Sequence, residues 1–360
     1  VADMKKGKLK KQTMSKLLTY AAIILVYILV TIAVNAGVVS NLLQGLLVPI
    51  CTYVILAISL NLTVGILGEL SLGHAGFMCV GAFSSALFSL CTKDTITFAP
   101  LRFTLAIIVS AIVAAIFGFL IGIPVLRLKG DYLAIVTLAF GEIIKNVINA
   151  VYLGRDSHGF HISLKDSMSL GLEEDGQMLI KGAQGITGTP NDSTFTIGVI
   201  LIIITLFIVL NMVQSRTGRA IMSIRDNRIA AESIGINVTK YKLIAFTVSA
   251  SLAGVGGALY AHNLNTLTAL PKNFGYNMSI MILVFVVLGG IGNMQGSIIA
   301  AIILTLLPEL LRGLNDYRML IYAIVLIVMM LFNWSPKARE MRDKVTARLH
   351  IGKKAKEGEA

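Results

Sequence analysis

The chain has 360 residues, of which 56% are hydrophobic and 14% charged, with a formal net charge of +12 and a mean hydropathy of +0.80. Soluble domains carry roughly a quarter charged residues, so this composition excludes a water-soluble protein and indicates an integral membrane one. The basic excess sits in the tails and in short connecting stretches, the pattern of loops retained in the cytoplasm and not that of a nucleic-acid surface.

A membrane span needs roughly 20 apolar residues. The chain opens on a basic tail, 1–16, holding Lys5, Lys6, Lys8, Lys10, Lys11 and Lys16. An uncharged run follows at 17–39. No small-residue cleavage site comes after it, so it reads as a retained first helix and not as a signal peptide. Further apolar runs occupy 41–68, 72–90, 103–126 and 132–153. A long polar loop at 154–194 carries Asp156, Asp166, Glu173, Glu174, Asp175 and Asp192, which places it outside. Apolar runs resume at 195–215 and, beyond a basic loop at 215–242, at 243–271. The stretch 273–308 is too long for one span, and Gly289, Gly290, Gly292 and Gly296 divide it in two. A last run at 319–335 leads into a second basic tail, 334–360, with Lys337, Arg339, Arg342, Lys344, Arg348, Lys353, Lys354 and Lys356.

The expected fold is therefore all-α, a polytopic membrane protein with about ten transmembrane helices in a domain at 17–333. An even count puts both tails on one face. The cytoplasmic assignment of the tails also brings Arg127, Lys129 and the 215–242 loop inside, with most of the Lys and Arg residues. The tails also suit contact with anionic lipid.

Several residues stand out within this framework. Ala220–Ile234 has apolar positions at Ile221, Ile224, Ile229 and Ile234, predicting one amphipathic helix on the cytoplasmic face that ends at Gly235. Gly65, Gly68, Gly73 and Gly76 interrupt an apolar region. Backbone broken in that way is tolerated beside protein or a water-filled path, and close helix packing through small residues is the alternative. Glu69 and His74 flank that break, as anchors, gate elements or a capped helix start. Glu142 and Lys145, three apart on one helix, share a face. They read as a structural ion pair or, for Glu142, as a path-lining charge. No GxxxxGK[ST] loop is present. Cys51, Cys79 and Cys91 have neither disulfide nor metal-ligand spacing, and His158 and His161 lack a third ligand. No enzyme, metal site or cofactor is expected.

The sequence also resembles a family. Arg225-Asp226-Asn227, Ala230-Ala231, Gly235, Lys242-Leu243, Ala245-Phe246 and Ser249-Ala250 look like the coupling loop of bacterial ABC importer permeases, most of all branched-chain amino acid permeases of the LivM type. The wider permease signature begins Glu-Ala-Ala, where this chain has Ile229-Ala230-Ala231 with Glu232 close by. Asn61-Leu62 to Gly65, then Gly68-Glu69-Leu70-Ser71-Leu72-Gly73-His74-Ala75-Gly76-Phe77, resembles the most recognisable block of the family. Thr137-Leu138-Ala139-Phe140-Gly141-Glu142-Ile143-Ile144, the segment Gly182–Pro190, and Leu288-Gly289-Gly290-Ile291-Gly292 follow in the expected order.

The resemblance implies a permease with two inverted halves in a bacterial plasma membrane. It would work with two ATP-binding subunits, a second homologous permease subunit and an external substrate-binding protein. Arg225, Asp226, Ala230, Ala231, Glu232 and Gly235 would couple it to the ATPases. Asn61, Gly68, Glu69, Ser71, Gly73, His74, Gly76, Thr137 and Glu142 would line or gate the path. The alternatives are another small cargo, such as urea, short amides or other amino acids, or an ion-coupled transporter using Glu142.

Overall fold

The computed structural model describes residues 2–128, 130–156, 158–166, 168–172 and 176–334. The second basic tail beyond residue 334, Lys129 and the acidic Glu173, Glu174 and Asp175 lie outside the described residues. The helices are α1 (Ala2–Asn35), α2 (Asn41–Asn61), α3 (His74–Cys91), α4 (Ala99–Val125), α5 (Asp131–Ala150), α6 (Phe195–Gln214), α7 (Arg216–Asp226), α8 (Arg228–Ser233), α9 (Val238–Ala261), α10 (Pro271–Phe274), α11 (Tyr276–Gly289), α12 (Met294–Leu310) and α13 (Arg318–Trp334). Among the described residues, nine helical stretches are long and apolar enough to cross a membrane. They fall on the first nine expected spans. The tenth expected span is α13, with 17 residues, about 25 Å long at 1.5 Å per residue.

The first compact unit covers residues 1–302, and α2 lies at its centre. From Val48 onward α2 is buried nearly all round, consistent with a sequence apolar on every face. α4, by contrast, exposes Ile108, Ile112, Ile116, Phe119 and Leu120, as a lipid-facing helix does. α3, α4 and α9 pack closely because small residues meet where they cross. A Cβ on Gly81 would stand 2.4 Å from the Cα of Gly254, and one on Gly257 would stand 2.2 Å from the Met78 carbonyl oxygen. Ser110 of α4 donates to the Gly254 carbonyl at 2.6 Å. In lipid, where no hydrophobic force drives helices together, contact of this kind supplies the association.

Between α5 and α6, where the sequence predicts a polar loop, the chain forms strands: β1 (Tyr152–Asp156), β2 (Gly159–Ser163), β3 (Gln177–Lys181) and β4 (Ile186–Thr187). They make a three-stranded antiparallel sheet in the order β2-β1-β3, while β4 pairs with β5 (Thr266–Leu267). The fifth span accordingly stops at Ala150 instead of residue 153, because Tyr152 and Leu153 are drawn into β1. Gly185 in the segment 182–190 has φ +69, and a Cβ there would lie 1.9 Å from the Leu267 carbonyl oxygen. Both constraints select glycine. On the β1–β2 hairpin, burial pushes the Asp156 carboxyl upward, but backbone N–H bonds from His158 and Gly159 and the His161 imidazole outweigh it and hold the group below the usual range. Arg102, expected just outside a span, lies instead in the first turn of α4, buried, and pairs with Asp192 at 2.9 Å.

The second compact unit begins at residue 303 and contains the end of α12, a tight helical stretch at Leu311–Tyr317, and α13. Glu309 pairs there with Arg312 at 2.9 Å.

The α3–α9 crossing makes a direct prediction. Gly81→Leu overpacks it and should lower stability in detergent by about 1–3 kcal/mol, seen as a reduced thermal midpoint. Ile112→Leu on the exposed face of α4 should leave the midpoint unchanged. A Gly81→Leu protein as stable as the native one would contradict this packing.

Candidate functional site

The α-helical register of α2 ends at Asn61. Residues Leu62–Leu67 wind as a wider π-turn, which stops at Gly68 in the left-handed conformation, φ +79. The chain then runs irregularly to His74, the first residue of α3. Residues 62–67 are buried, and a backbone group freed in such a place costs energy unless something binds it. π-turns inside helices often mark functional sites.

Three segments distant in sequence satisfy this break. Asn61 accepts from the Gly292 backbone N–H at 2.9 Å and donates to Ser297 Oγ at 2.9 Å, tying the turn to the α11–α12 connection. The backbones of Gly65 and Gly292 approach so closely that a Cβ on Gly65 would sit 2.4 Å from the Gly292 nitrogen. From the other side Arg225 Nη1 donates to the Gly65 carbonyl at 2.9 Å. The aliphatic stem of Arg225 lies over Gly68, where a Cβ would meet its Cγ at 2.6 Å. Glu69 then forms an ion pair with Lys242 at the start of α9, with side chains only 15% and 7% exposed. The third segment is α5: Leu72 N–H donates to Thr137 Oγ1 at 3.0 Å, and that hydroxyl donates to the Ala134 carbonyl.

The start of α3 is held in the same manner. Ala75 N–H donates to Ser279 Oγ of α11 at 3.0 Å. His74 is buried with its Nε2 2.7 Å from Ser59 Oγ. Because the Ser59 hydroxyl donates its one proton to the Leu56 carbonyl, Nε2 must carry the hydrogen and donate to Ser59. Gly73 and Gly76 pack on α5, with would-be Cβ atoms 2.3 Å from the Thr137 carbonyl oxygen and 2.7 Å from the Gly141 Cα. Ser71 is buried, and among the described residues its hydroxyl has no partner.

The segment that reaches the break from outside the spans is not one helix over 220–234. It is two, α7 and α8, separated at Asn227. Asn227 adopts extended backbone, and its side chain accepts from Ala230 N–H at 3.0 Å, starting a new helix instead of continuing the old. Ser215 and Asn237 cap α7 and α9 in the same way. The sharp turns fold the segment on itself, and Ile224, Ala231 and Val238 form its own small core with Ile236 and Tyr241 against it. This explains a small residue at Ala231. Of the four predicted apolar positions, Ile221 and Ile224 are buried, whereas Ile229 and Ile234 are 80% and 74% exposed. Arg228 and Glu232 pair at 3.0 Å beside them, and Asp226 holds the Arg225 guanidinium at 3.0 Å.

Glu142 stands apart from this cluster. One carboxylate oxygen pairs with Lys145, and the other accepts from the Tyr276 backbone N–H at 2.7 Å at the start of α11. A carboxylate at a helix N-terminus is electrostatically favoured.

Of the residues singled out from sequence, Asn61, Gly68, Glu69, Arg225 and Asp226 come together at the break. Gly73, Gly76 and Thr137 meet at the α5 contact, His74 is held by Ser59 of α2, Ser71 is buried nearby in the chain, and Ala230, Ala231, Glu232 and Gly235 belong to the α7–α8 segment. Sequence reasoning missed Lys242, Ser279, Gly292 and Ser297 as members of the site. Lys242 carried a usable signal, since a lysine at the mouth of an apolar run needs an anion and Glu69 faces the same requirement.

A polytopic helical membrane protein with a broken, protein-held helix and a compact basic segment outside its spans has the build of a transport permease. The family described as branched-chain amino acid transport system, permease component, matches residues 42–331, and the chain belongs to that family. It is 35% identical over 295 residues to the high-affinity branched-chain amino acid transport system permease protein LivM of Escherichia coli, covering 79% of this chain and 67% of that protein. It is also 24% identical over 288 residues to the nucleoside ABC transporter permease protein NupC of Lactococcus lactis, covering 74% and 84%. The permease protein LivH of Salmonella typhimurium is 21% identical over 290 residues, covering 78% and 89%. These relatives are named as transport permeases and not as enzymes. No solved structure matches the chain.

The Glu69–Lys242 pair can be tested apart from transport. Glu69→Ala leaves a buried ammonium uncompensated and should cost about 3–5 kcal/mol. Glu69→Gln combined with Lys242→Met should recover most of that loss. Thermal unfolding of the purified variants checks both, and equal stability for Glu69→Ala and native protein would exclude the pair.

Proposed function

We propose that the chain is the membrane-spanning subunit of an ATP-driven importer of branched-chain amino acids in a bacterial plasma membrane. In this reading two ATP-binding subunits drive it, a second homologous permease completes the path, and an external binding protein delivers the cargo. The α7–α8 segment and the chain termini face the cytoplasm, and the β1–β3 sheet faces outside, in keeping with the basic and acidic loops.

The observation that carries the proposal is the α7–α8 segment. Its Ile224 and Ala231 pack with Val238 at the start of α9, while Ile229 and Ile234 are exposed near the charged pair Arg228–Glu232. Exposed apolar anchors beside charge suit the docking of a short helix into a groove of a partner. Arg225, Asp226, Ala230, Ala231, Glu232 and Gly235 would then couple the ATPase to the spans.

For the path, the broken stretch from Asn61 to Gly76 and the Thr137–Glu142 face of α5 are the candidate lining. Beside Glu142, Asn146, Tyr276 and Asn277 are exposed. Polar groups on the surface of membrane helices favour a wet path or a second subunit over lipid. Both oxygens of Glu142 are already engaged, which disfavours a proton-carrying role and with it an ion-coupled transporter. An aliphatic cargo suits a path otherwise built from apolar and small residues. The 35% identity to a branched-chain amino acid permease favours that cargo over nucleosides, urea or amides.

Reconstitution with the ATP-binding subunits and binding protein tests this reading. Labelled leucine should enter proteoliposomes only with ATP, and isoleucine and valine should compete while uridine and urea do not. Exchanging both Ile229 and Ile234 for Glu should weaken ATPase binding at least about tenfold, the loss of roughly 1.4 kcal/mol, without changing membrane insertion. Leucine uptake without any ATPase, or full ATPase binding by the double variant, would contradict it.

A further inference from the structure

Arg225 joins two features that are otherwise far apart, the α7–α8 segment and the wide turn at the end of α2. Its guanidinium uses Nη1 on the Gly65 carbonyl, while Nε and Nη2 are held by Asp226 Oδ1 at 3.2 and 3.0 Å. Asp226 therefore fixes the plane in which Arg225 points at the turn. The stem of Arg225 occupies the space that a side chain at Gly68 would take. Across the turn, Asn61 and the Gly65–Gly292 contact bind it to the α11–α12 connection. The turn is thus gripped from both sides, by the α11–α12 connection and by Arg225 of α7.

A π-turn holds one more residue per turn than α-helix winding, so rewinding to α-helix would give the same residues a second arrangement. In one, the register is wide, as here, with the Thr63 carbonyl accepting from the N–H groups of Gly68 and Glu69. In the other, residues 62–67 would wind as α-helix, and the spare residue would pass into the irregular stretch 68–73. Coupling between distant parts requires such a bistable element, together with a contact that favours one state. The Arg225–Gly65 bond is a contact of that kind, because it satisfies a carbonyl in the wide register.

We infer that Arg225 is a latch: it holds the turn at 62–67 in its wide register, and displacement of the α7–α8 segment by the ATPase releases the turn to rewind and shift residues 68–73. This rests on the function proposed above, but it assigns Arg225 a positioning role toward the turn and not toward the ATPase. Glu69, one residue beyond the turn, stays tied through Lys242 to the start of α9, so rewinding pulls on α9 as well as on the path between α2 and α3.

Two variants in lipid nanodiscs test the latch. Arg225→Gln removes the grip and keeps the exposed Ile229 and Ile234. Gly68→Ala pushes the Arg225 stem off the turn at a residue outside the docking face; because φ +79 strains any side chain there as well, the part of its effect that belongs to the latch is the part that disappears in the Arg225→Gln background. In the permease alone, amide hydrogen exchange at 62–73 should speed up about tenfold in both variants while exchange in α3 and α9 is unchanged. With the ATPase added, binding should match native protein and ATP should still be hydrolysed, but leucine carried per ATP should fall about tenfold. Native exchange at 62–73, a native leucine-to-ATP ratio, or loss of ATPase binding by Arg225→Gln would each overturn the latch. A native permease that binds no ATPase would defeat the proposed function instead, while the exchange measurement still decides whether Arg225 holds the turn.

Discussion

The structure depends on how the buried break at the end of α2 is satisfied. Once the α-helical register stops at Asn61, the carbonyls and N–H groups of residues 62–73 lose their α-helical partners, and residues 62–67 do so in a buried place with little access to water. Gly68 and Glu69 bond back to the Thr63 carbonyl, and other partners come from different parts of the chain: Gly65 from Arg225, Leu72 from Thr137 and, at the start of α3, Ala75 from Ser279. Backbone chemistry at one point therefore positions α5, α11 and the α7–α8 segment around α2. The small residues follow from the same demand, since Gly65, Gly73 and Gly76 stand where neighbouring backbone approaches within a Cβ of contact.

The α7–α8 segment is suited to move as a body. Its caps at Ser215, Asn227 and Asn237 begin three helices in quick succession, and Ile224, Ala231 and Val238 bind them together. Its attachment to the break is the Arg225 hydrogen bond to Gly65, while the Glu69–Lys242 ion pair ties the break to the start of α9. A stiff piece joined to α6 and α9 transmits displacement to them, whereas a loose loop absorbs it. In the proposed assembly this difference would separate a coupled ATPase from an idle one.

The fold was largely legible in the sequence because apolar length is a strong signal: the first nine expected spans each contain a helix of the required length. Boundaries were less legible where other structure competed. The fifth span lost Tyr152 and Leu153 to a strand whose partners lie up to 29 residues further on, at Lys181, which local pattern does not show. The helix expected over 220–234 was broken by Asn227, whose extended backbone and side-chain cap override the isoleucine spacing. The candidate site was legible as a set of motifs but not as a geometry. Glycines at 65–76 marked a break, yet nothing local pointed to Gly292, Ser297 or Ser279 as its partners. Arg225 and Asp226 were recognised by family resemblance, and only the fold shows the guanidinium reaching a carbonyl 160 residues away in the chain.

The central claim is that the α7–α8 segment is a cytoplasmic handle gripped by a separate ATPase. Thiol labelling addresses it most directly, with a single cysteine at position 229 in a chain whose Cys51, Cys79 and Cys91 have been replaced. A membrane-impermeant maleimide should react with it in inside-out vesicles and not in right-side-out ones, and bound ATP-binding subunits should protect it. Reaction from the outside, or labelling that the ATPase leaves unchanged, would contradict the account.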